Sequence, residues 1–176
     1  MTSTTPPDPV TTARSGVPDG QIPQGFKLRH LGDGFMDQNG PLYYRRQPGS
    51  ERNRGISLGF RVEMRHSNPM QMCHGGMLAT FTDMLFAVTA HAPSEAGRGR
   101  FRPTLSLQID YLAGAPLGSW VQGEAQVLRA TRNMLFMQGL LHADAELVAR
   151  VSGVFKRGPE FRFGTQPVPN AAAAQG

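Results

Sequence analysis

Two periods of apolar residues divide this chain. Ile56, Leu58, Phe60, Val62 and Met64 alternate with Ser57, Gly59, Arg61, Glu63 and Arg65. A period of two puts one set on a core and the other in water, so the spacing predicts a half-buried strand. The alternation returns where Leu105, Leu107, Ile109 and Tyr111 interleave with Thr104, Ser106, Gln108 and Asp110. Further strands are predicted at 42–46, 120–128, 134–142 and 147–156, with turns at 114–118, 129–133 and 143–145. Between 76 and 90 the period changes. Leu78, Phe81, Leu85 and Val88 recur at helical spacing, and Met77, Met84 and Phe86 fill most of the remaining surface. A helix apolar on nearly every side is a buried one. Short connections join antiparallel strands. The pattern therefore predicts an α+β domain, an antiparallel sheet wrapped around one long central helix.

One face of that helix is different. Gly76, Ala79, Thr80, Asp83, Ala87 and Ala90 fall at spacings of three and four, so they line up. Small residues allow another backbone or a ligand to come close. Asp83 is the one carboxylate among them, and a buried carboxylate is costly unless it is paired or used. It is either a structural cap or a working group. Ahead of the helix stands His74-Gly75-Gly76. Glycines here leave the first helical N–H groups open at the positive end of the helix dipole, where a developing oxyanion is stabilised. A plain glycine entry to a helix is the simpler alternative.

Composition narrows the setting. A chain of 176 residues, 39% hydrophobic, can bury the core of one domain. No apolar run is long enough to cross a bilayer, so no membrane association is expected. The start, Met1-Thr-Ser-Thr-Thr-Pro-Pro, lacks the basic and apolar regions of a signal peptide, and Cys73 is the single cysteine. Both point to the cytoplasm. Lys and Arg number 18 against 13 Asp and Glu, a formal charge of +5. That suits an anionic ligand but is too mild to call for nucleic acid. Residues 1–24 read as a disordered or loosely docked arm, 25–163 as the domain, and 164–176 as a flexible tail.

The order of strand, buried helix and antiparallel meander resembles the hotdog fold. His74-Gly75-Gly76, Asp83 nine residues after the histidine, and Asn68 six before it are similar to the PaaI-type (phenylacetate-degradation) acyl-CoA thioesterases. The segment Arg102 to Tyr111 resembles that family's next strand, which often begins with a catalytic Ser or Thr, here Thr104. The likeness covers roughly residues 40 to 157, and the extended N-terminal arm departs from it. It implies hydrolysis of an aryl-, short- or medium-chain acyl-CoA, with no cofactor. It also implies homodimers with shared sites, often paired into tetramers.

The residues fit such chemistry. The Gly75 N–H would polarise the thioester carbonyl. Asp83 would act as general base on water or attack directly. Asn68 and Thr104 would orient water or carboxylate, and His74 would hold the glycine turn or bond the thioester. Coenzyme A carries phosphates, so a basic rim is expected, with Gly76 beside it. Arg129, Arg132, Lys156 and Arg157 are the candidates, Arg132 first by its place in the family pattern. Arg98, Arg100 and Arg102 form a third basic group. Each alone reads as a solvated charge. Met64, His66, Met70, Met72, Cys73, His74 and Met77 crowd one segment. They offer soft ligands for Cu(I), or an adaptable wall for an acyl group. A non-catalytic acyl-CoA sensor and a hotdog hydratase or dehydratase are the competing functions.

Overall fold

In the computed structural model the described residues are 21–29, 34–47, 55–90, 98–100, 102–158 and 160–162. Strand β1 (Lys27–Arg29) and a single-turn helix α1 (Phe35–Gln38) lead into β2 (Leu42–Arg46) and β3 (Ile56–Arg61). A 3-10 turn (Met64–His66) precedes the long helix α2 (Gly75–Ala90). Then come β4 (Arg98–Arg100), β5 (Thr104–Tyr111), β6 (Trp120–Ala130), β7 (Met134–Ala143), β8 (Glu146–Lys156) and β9 (Glu160–Arg162). Seven strands form one antiparallel sheet in the order β1-β2-β3-β6-β7-β8-β5, and β4 pairs with β9 in a separate ribbon. The chain thus crosses the sheet through α2, from β3 to the far edge at β5.

The predicted α+β architecture is present, and so are its principal elements. Strand β3 is shorter than its alternation suggested, because the backbone turns at Glu63. The Glu63 N–H donates to His66 Nδ1 at 3.0 Å, and the Glu63 carbonyl accepts from the His66 N–H at 2.9 Å. Those bonds close a turn instead of extending a ladder. The short elements β1, α1, β4 and β9 carry too few residues for a period to show. The expected tail, His91 and nearly all of the expected arm lie outside the described residues.

Helix α2 lies on the inner face of the sheet. Phe60, Phe81, Phe86 and Phe155 are fully buried there, and each side chain contributes about 1.5–3 kcal/mol by leaving water. Phe60 and Phe81 pack with ring centres 5.0 Å apart, Phe86 and Phe155 at 5.7 Å edge to face. The helix comes this close because β6 has glycine beneath it. A Cβ on Gly123 would stand 2.7 Å from Leu85 Cδ2 and 3.1 Å from Phe81 Cε1.

The helix is not enclosed all round. Met77, Leu78, Phe81, Leu85, Phe86 and Val88 are buried, whereas Ala79, Thr80, Asp83, Ala87 and Ala90 are half-buried and Gly76 is exposed. The small-residue stripe is the face that the chain's own sheet leaves uncovered. It lies beside β5, which is an edge of the sheet.

Candidate active site

At its first turn α2 has almost no side chains, and two rings fill the space. The His74 N–H donates to the His66 carbonyl at 2.7 Å, and the His74 carbonyl accepts from the N–H groups of Met77 at 2.8 Å and Leu78 at 3.2 Å. The imidazole folds back, and its Nδ1 accepts from the Gly76 N–H at 2.9 Å. His74 is thus the N-terminal cap of α2, with a ring nitrogen where a side-chain oxygen usually serves. The second ring is Tyr111, whose hydroxyl donates to the Gly75 carbonyl at 2.8 Å.

Both glycines are closely approached by these neighbours. A Cβ on Gly76 would meet His74 Nδ1 at 3.0 Å, and one on Gly75 would meet Tyr111 Cζ and Oη at 3.3 Å. The hydrogen bonds also separate the two glycine amides. The Gly76 N–H is taken by His74. Among the described residues nothing accepts from the Gly75 N–H. It is left as the unspent donor at the positive end of a 16-residue helix.

Asp83 stands two turns further along the same helix, on its uncovered face. Thr104 Oγ1 donates to Asp83 Oδ1 at 2.5 Å. That bond depends on a fault in β5. Strict alternation would put Thr104 on the outer face with Ser106, Gln108 and Asp110. The register with β8 shifts between Thr104 and Ser106, so that Thr104 pairs with Phe155 and Ser106 with Val154. Leu105 is the extra residue, and it is pushed out into solvent. The bulge turns Thr104 to the helix side, the kind of re-aiming bulges perform beside functional sites.

Asn68 is organised differently. Its Oδ1 accepts from the N–H groups of Met70 at 2.9 Å and Met72 at 3.2 Å, shaping a loop in which Gln71 has φ +58°. Among the described residues no hydrogen bond joins Asn68 to Asp83, Thr104 or His74. Its oxygen is committed to the loop, and its amide N–H groups remain. The sulfurs of that segment face different ways: Cys73 and Met77 are buried, Met64 and Met70 are exposed. Burial pushes the Cys73 thiol up to about 12.

The basic candidates gather at one end of the sheet. Arg132 is exposed in the β6–β7 turn, with Arg129 exposed before it and Lys156 exposed at the end of β8. Arg157 is half-buried and works on the turn itself: its N–H donates to the Asn133 carbonyl and one guanidinium nitrogen to the Thr131 carbonyl, both at 2.7 Å. Arg102 is half-buried just before Thr104. The Lys156 N–H donates to the Pro103 carbonyl at 2.9 Å, so this end adjoins the Thr104–Asp83 pair. The side chains of Arg98 and Arg100 lie outside the described residues.

By the alternation of β5 alone, Tyr111 is only an apolar strand position. Its parity with Leu107 and Ile109 did signal that it faces the helix. Nothing in the sequence assigned its hydroxyl to the glycine turn.

Residues 70–149 match the family model described as the thioesterase superfamily. A protein of Pseudomonas aeruginosa with a provisional esterase name is 27% identical over 134 residues, covering 76% of this chain and 96% of that one. The phenylacetic acid degradation protein PaaI of Thermus thermophilus, solved as a point mutant, superposes with TM-score 0.58 at 23% identity, covering 71% of this chain and 99% of that chain. A thioesterase-named protein of Streptococcus pneumoniae, solved with coenzyme A, gives TM-score 0.54 at 17% identity, covering 65% and 84%. The chain has the hotdog fold, and its likeness to the PaaI-type thioesterases holds in fold and in the superfamily match.

Proposed function

We propose that the chain hydrolyses the thioester of an aryl-, short- or medium-chain acyl-CoA to the free acid and coenzyme A. The observation that carries this reading is the pairing of an unspent donor with an oriented carboxylate: the Gly75 N–H at the helix start, and Asp83 fixed through one oxygen by Thr104. A thioester carbonyl needs both. Gly75 would donate to the carbonyl oxygen as negative charge develops on it. The Asp83 oxygen not held by Thr104 would take a proton from water as the water oxygen bonds to the carbonyl carbon, and the C–S bond would then break with that proton passing to the leaving sulfur, which releases the thiol of coenzyme A and restores the carboxylate. The same oxygen could instead attack the carbon directly, with water cleaving the resulting anhydride.

The two groups stand eight residues apart on one helix, about 12 Å along its axis. A reacting carbon cannot lie within about 3 Å of both. The site would therefore be shared between two copies, each giving Gly75 to one site and Asp83 to the other. The uncovered small-residue face of α2 supports this assembly, since it lets two helices approach closely about a two-fold axis. Dimers of such dimers would make the tetramer.

The basic end next to Thr104 would hold the phosphates of coenzyme A, with Arg132 as the leading contact and Arg129 and Lys156 beside it. Arg157 would serve by fixing the turn. The phenylacetic acid degradation named for the Thermus thermophilus protein supports an arylacyl substrate, and the coenzyme A held by the Streptococcus pneumoniae protein supports the nucleotide.

Thiol release measured over an acyl-CoA panel tests the reading. Turnover of at least one member, with Asp83→Asn about a hundredfold or more slower, is the expected result. Binding without turnover would make the protein an acyl-CoA sensor. Water addition to an enoyl thioester would make it a hydratase.

A further inference from the structure

Tyr111 ends β5 on the face that carries Leu107 and Ile109. Those two pack against the core, while Tyr111 reaches past it and stays 53% exposed. Core packing therefore does not explain it. Its hydroxyl donates to the Gly75 carbonyl at 2.8 Å. Helix stability does not call for that bond either, because a first-turn carbonyl already accepts from the N–H four residues on. What the bond does is visible in the peptide it touches. The Gly75 carbonyl and the Gly76 N–H belong to one peptide unit. Tyr111 holds its oxygen and His74 Nδ1 holds its N–H, at 2.8 and 2.9 Å. Glycine has the widest backbone freedom of any residue, so a helix whose first two residues are Gly-Gly is most prone to fray at that turn. Here one plane is clamped at both ends by two rings on opposite flanks.

We propose that Tyr111 is a positioning residue for the candidate oxyanion donor: by pinning the Gly75 carbonyl it fixes the glycine turn and so aims the Gly75 N–H at the substrate. The inference rests on the thioesterase reading for the identity of that substrate, and on the structure alone for the clamp. It also gives β5 a second task. The strand holds Asp83 through Thr104 at its first residue and Gly75 through Tyr111 at its last. Both working groups of α2 are thereby referred to one edge strand. In a shared-site dimer this would keep each chain's two half-sites at a fixed separation.

Tyr111→Phe in the full chain keeps the ring over Gly75 and removes only the hydroxyl. Loss of aim affects the step in which charge develops, so kcat for acyl-CoA should fall about tenfold or more, with KM within about twofold of wild type. A kcat within about twofold, or a loss carried by KM instead, would overturn the proposal. A second measurement is independent of turnover. In 15N-labelled protein the amide resonances of Gly75 and Gly76 should shift or broaden in Tyr111→Phe, while those of Ala87 and Ala90 stay in place. Unmoved glycine amides would overturn the clamp whatever the kinetics. If wild type released no thiol from any acyl-CoA, the thioesterase reading would fail, and the amide spectra would still decide for or against Tyr111.

Discussion

The Thr104 hydroxyl reaches Asp83 only because β5 carries an extra residue before Ser106. With regular alternation the hydroxyl would face away from the helix, and the carboxylate would lose the Thr104 donor. A bulged strand is less regular than a straight one. Its use here suits a carboxylate that must present one oxygen in a fixed direction. Thr104→Val keeps the branched shape and removes the donor. We expect kcat to fall about tenfold, the scale of a misplaced reacting group, and Thr104→Ser to restore most of it. A valine variant as fast as wild type would show that Asp83 needs no orientation from β5.

Cys73 borders His74 in sequence, and a cysteine beside a histidine invites the idea of a nucleophilic pair. Its burial argues otherwise. The thiol is pushed up to about 12, and a nucleophile must be a thiolate. Folded protein at pH 8 should therefore resist iodoacetamide and react with it after unfolding. Cys73→Ala should retain turnover within a few-fold. Rapid labelling of the native protein coupled to loss of activity would return Cys73 to the site.

His66 should make stability depend on pH. The ring is buried against Phe60, with centres 5.3 Å apart, and its Nδ1 accepts from the Glu63 N–H. Burial, with the Arg65 cation second, lowers its pKa below the ordinary 6.5. The unfolded chain titrates near 6.5, so between that value and the lower folded one it binds a proton the native state refuses. The contribution is complete above about 6.5 and is lost as pH falls through that window. The His66 carbonyl also accepts from the His74 N–H at 2.7 Å, so protonation of His66 would be felt next to the glycine turn. Urea midpoints should drop from pH 7 to pH 5.5, and His66→Gln should flatten that drop. An equal slope in the variant would place the dependence on other groups.

Much of this was legible in the residues, and what was not has identifiable causes. Leu78, Phe81, Leu85 and Val88 declared α2, and the alternation of Leu107, Ile109 and Tyr111 declared the face of β5, because periodicity is a local property. The uncovered face of α2 was legible too: Gly76, Ala79, Thr80, Asp83, Ala87 and Ala90 line up at spacings of three and four, and small residues mark a face open to another backbone or a ligand. Thr104 shows the limit. Its alternation assigned it to the outer face, and only the register against β8 reveals the shift. The glycine turn lay between these cases. His74-Gly75-Gly76 marked the place, but which amide is free depends on where His74 and Tyr111 point their polar atoms.

The proposed two-chain site makes the strictest demand, since it predicts that two inactive proteins become active together. Asp83→Asn removes the carboxylate charge. Gly75→Pro removes the N–H, and proline is tolerated in the first turn of a helix. Its Cβ would stand 3.3 Å from Tyr111, so a fold check by circular dichroism accompanies it. In the proposed assembly each homodimer would carry one defect at both of its sites and should be inactive. Unfolded together and refolded, they would form mixed dimers with one site composed of the good Gly75 from one chain and the good Asp83 from the other. The second site would carry both defects. Activity should return, to at most half of the wild-type level per mixed dimer. If each site lay within a single chain, every site would keep a defect and nothing would return. Native mass spectrometry establishes that mixed dimers are present, and inactivity in their presence would sink the two-chain site.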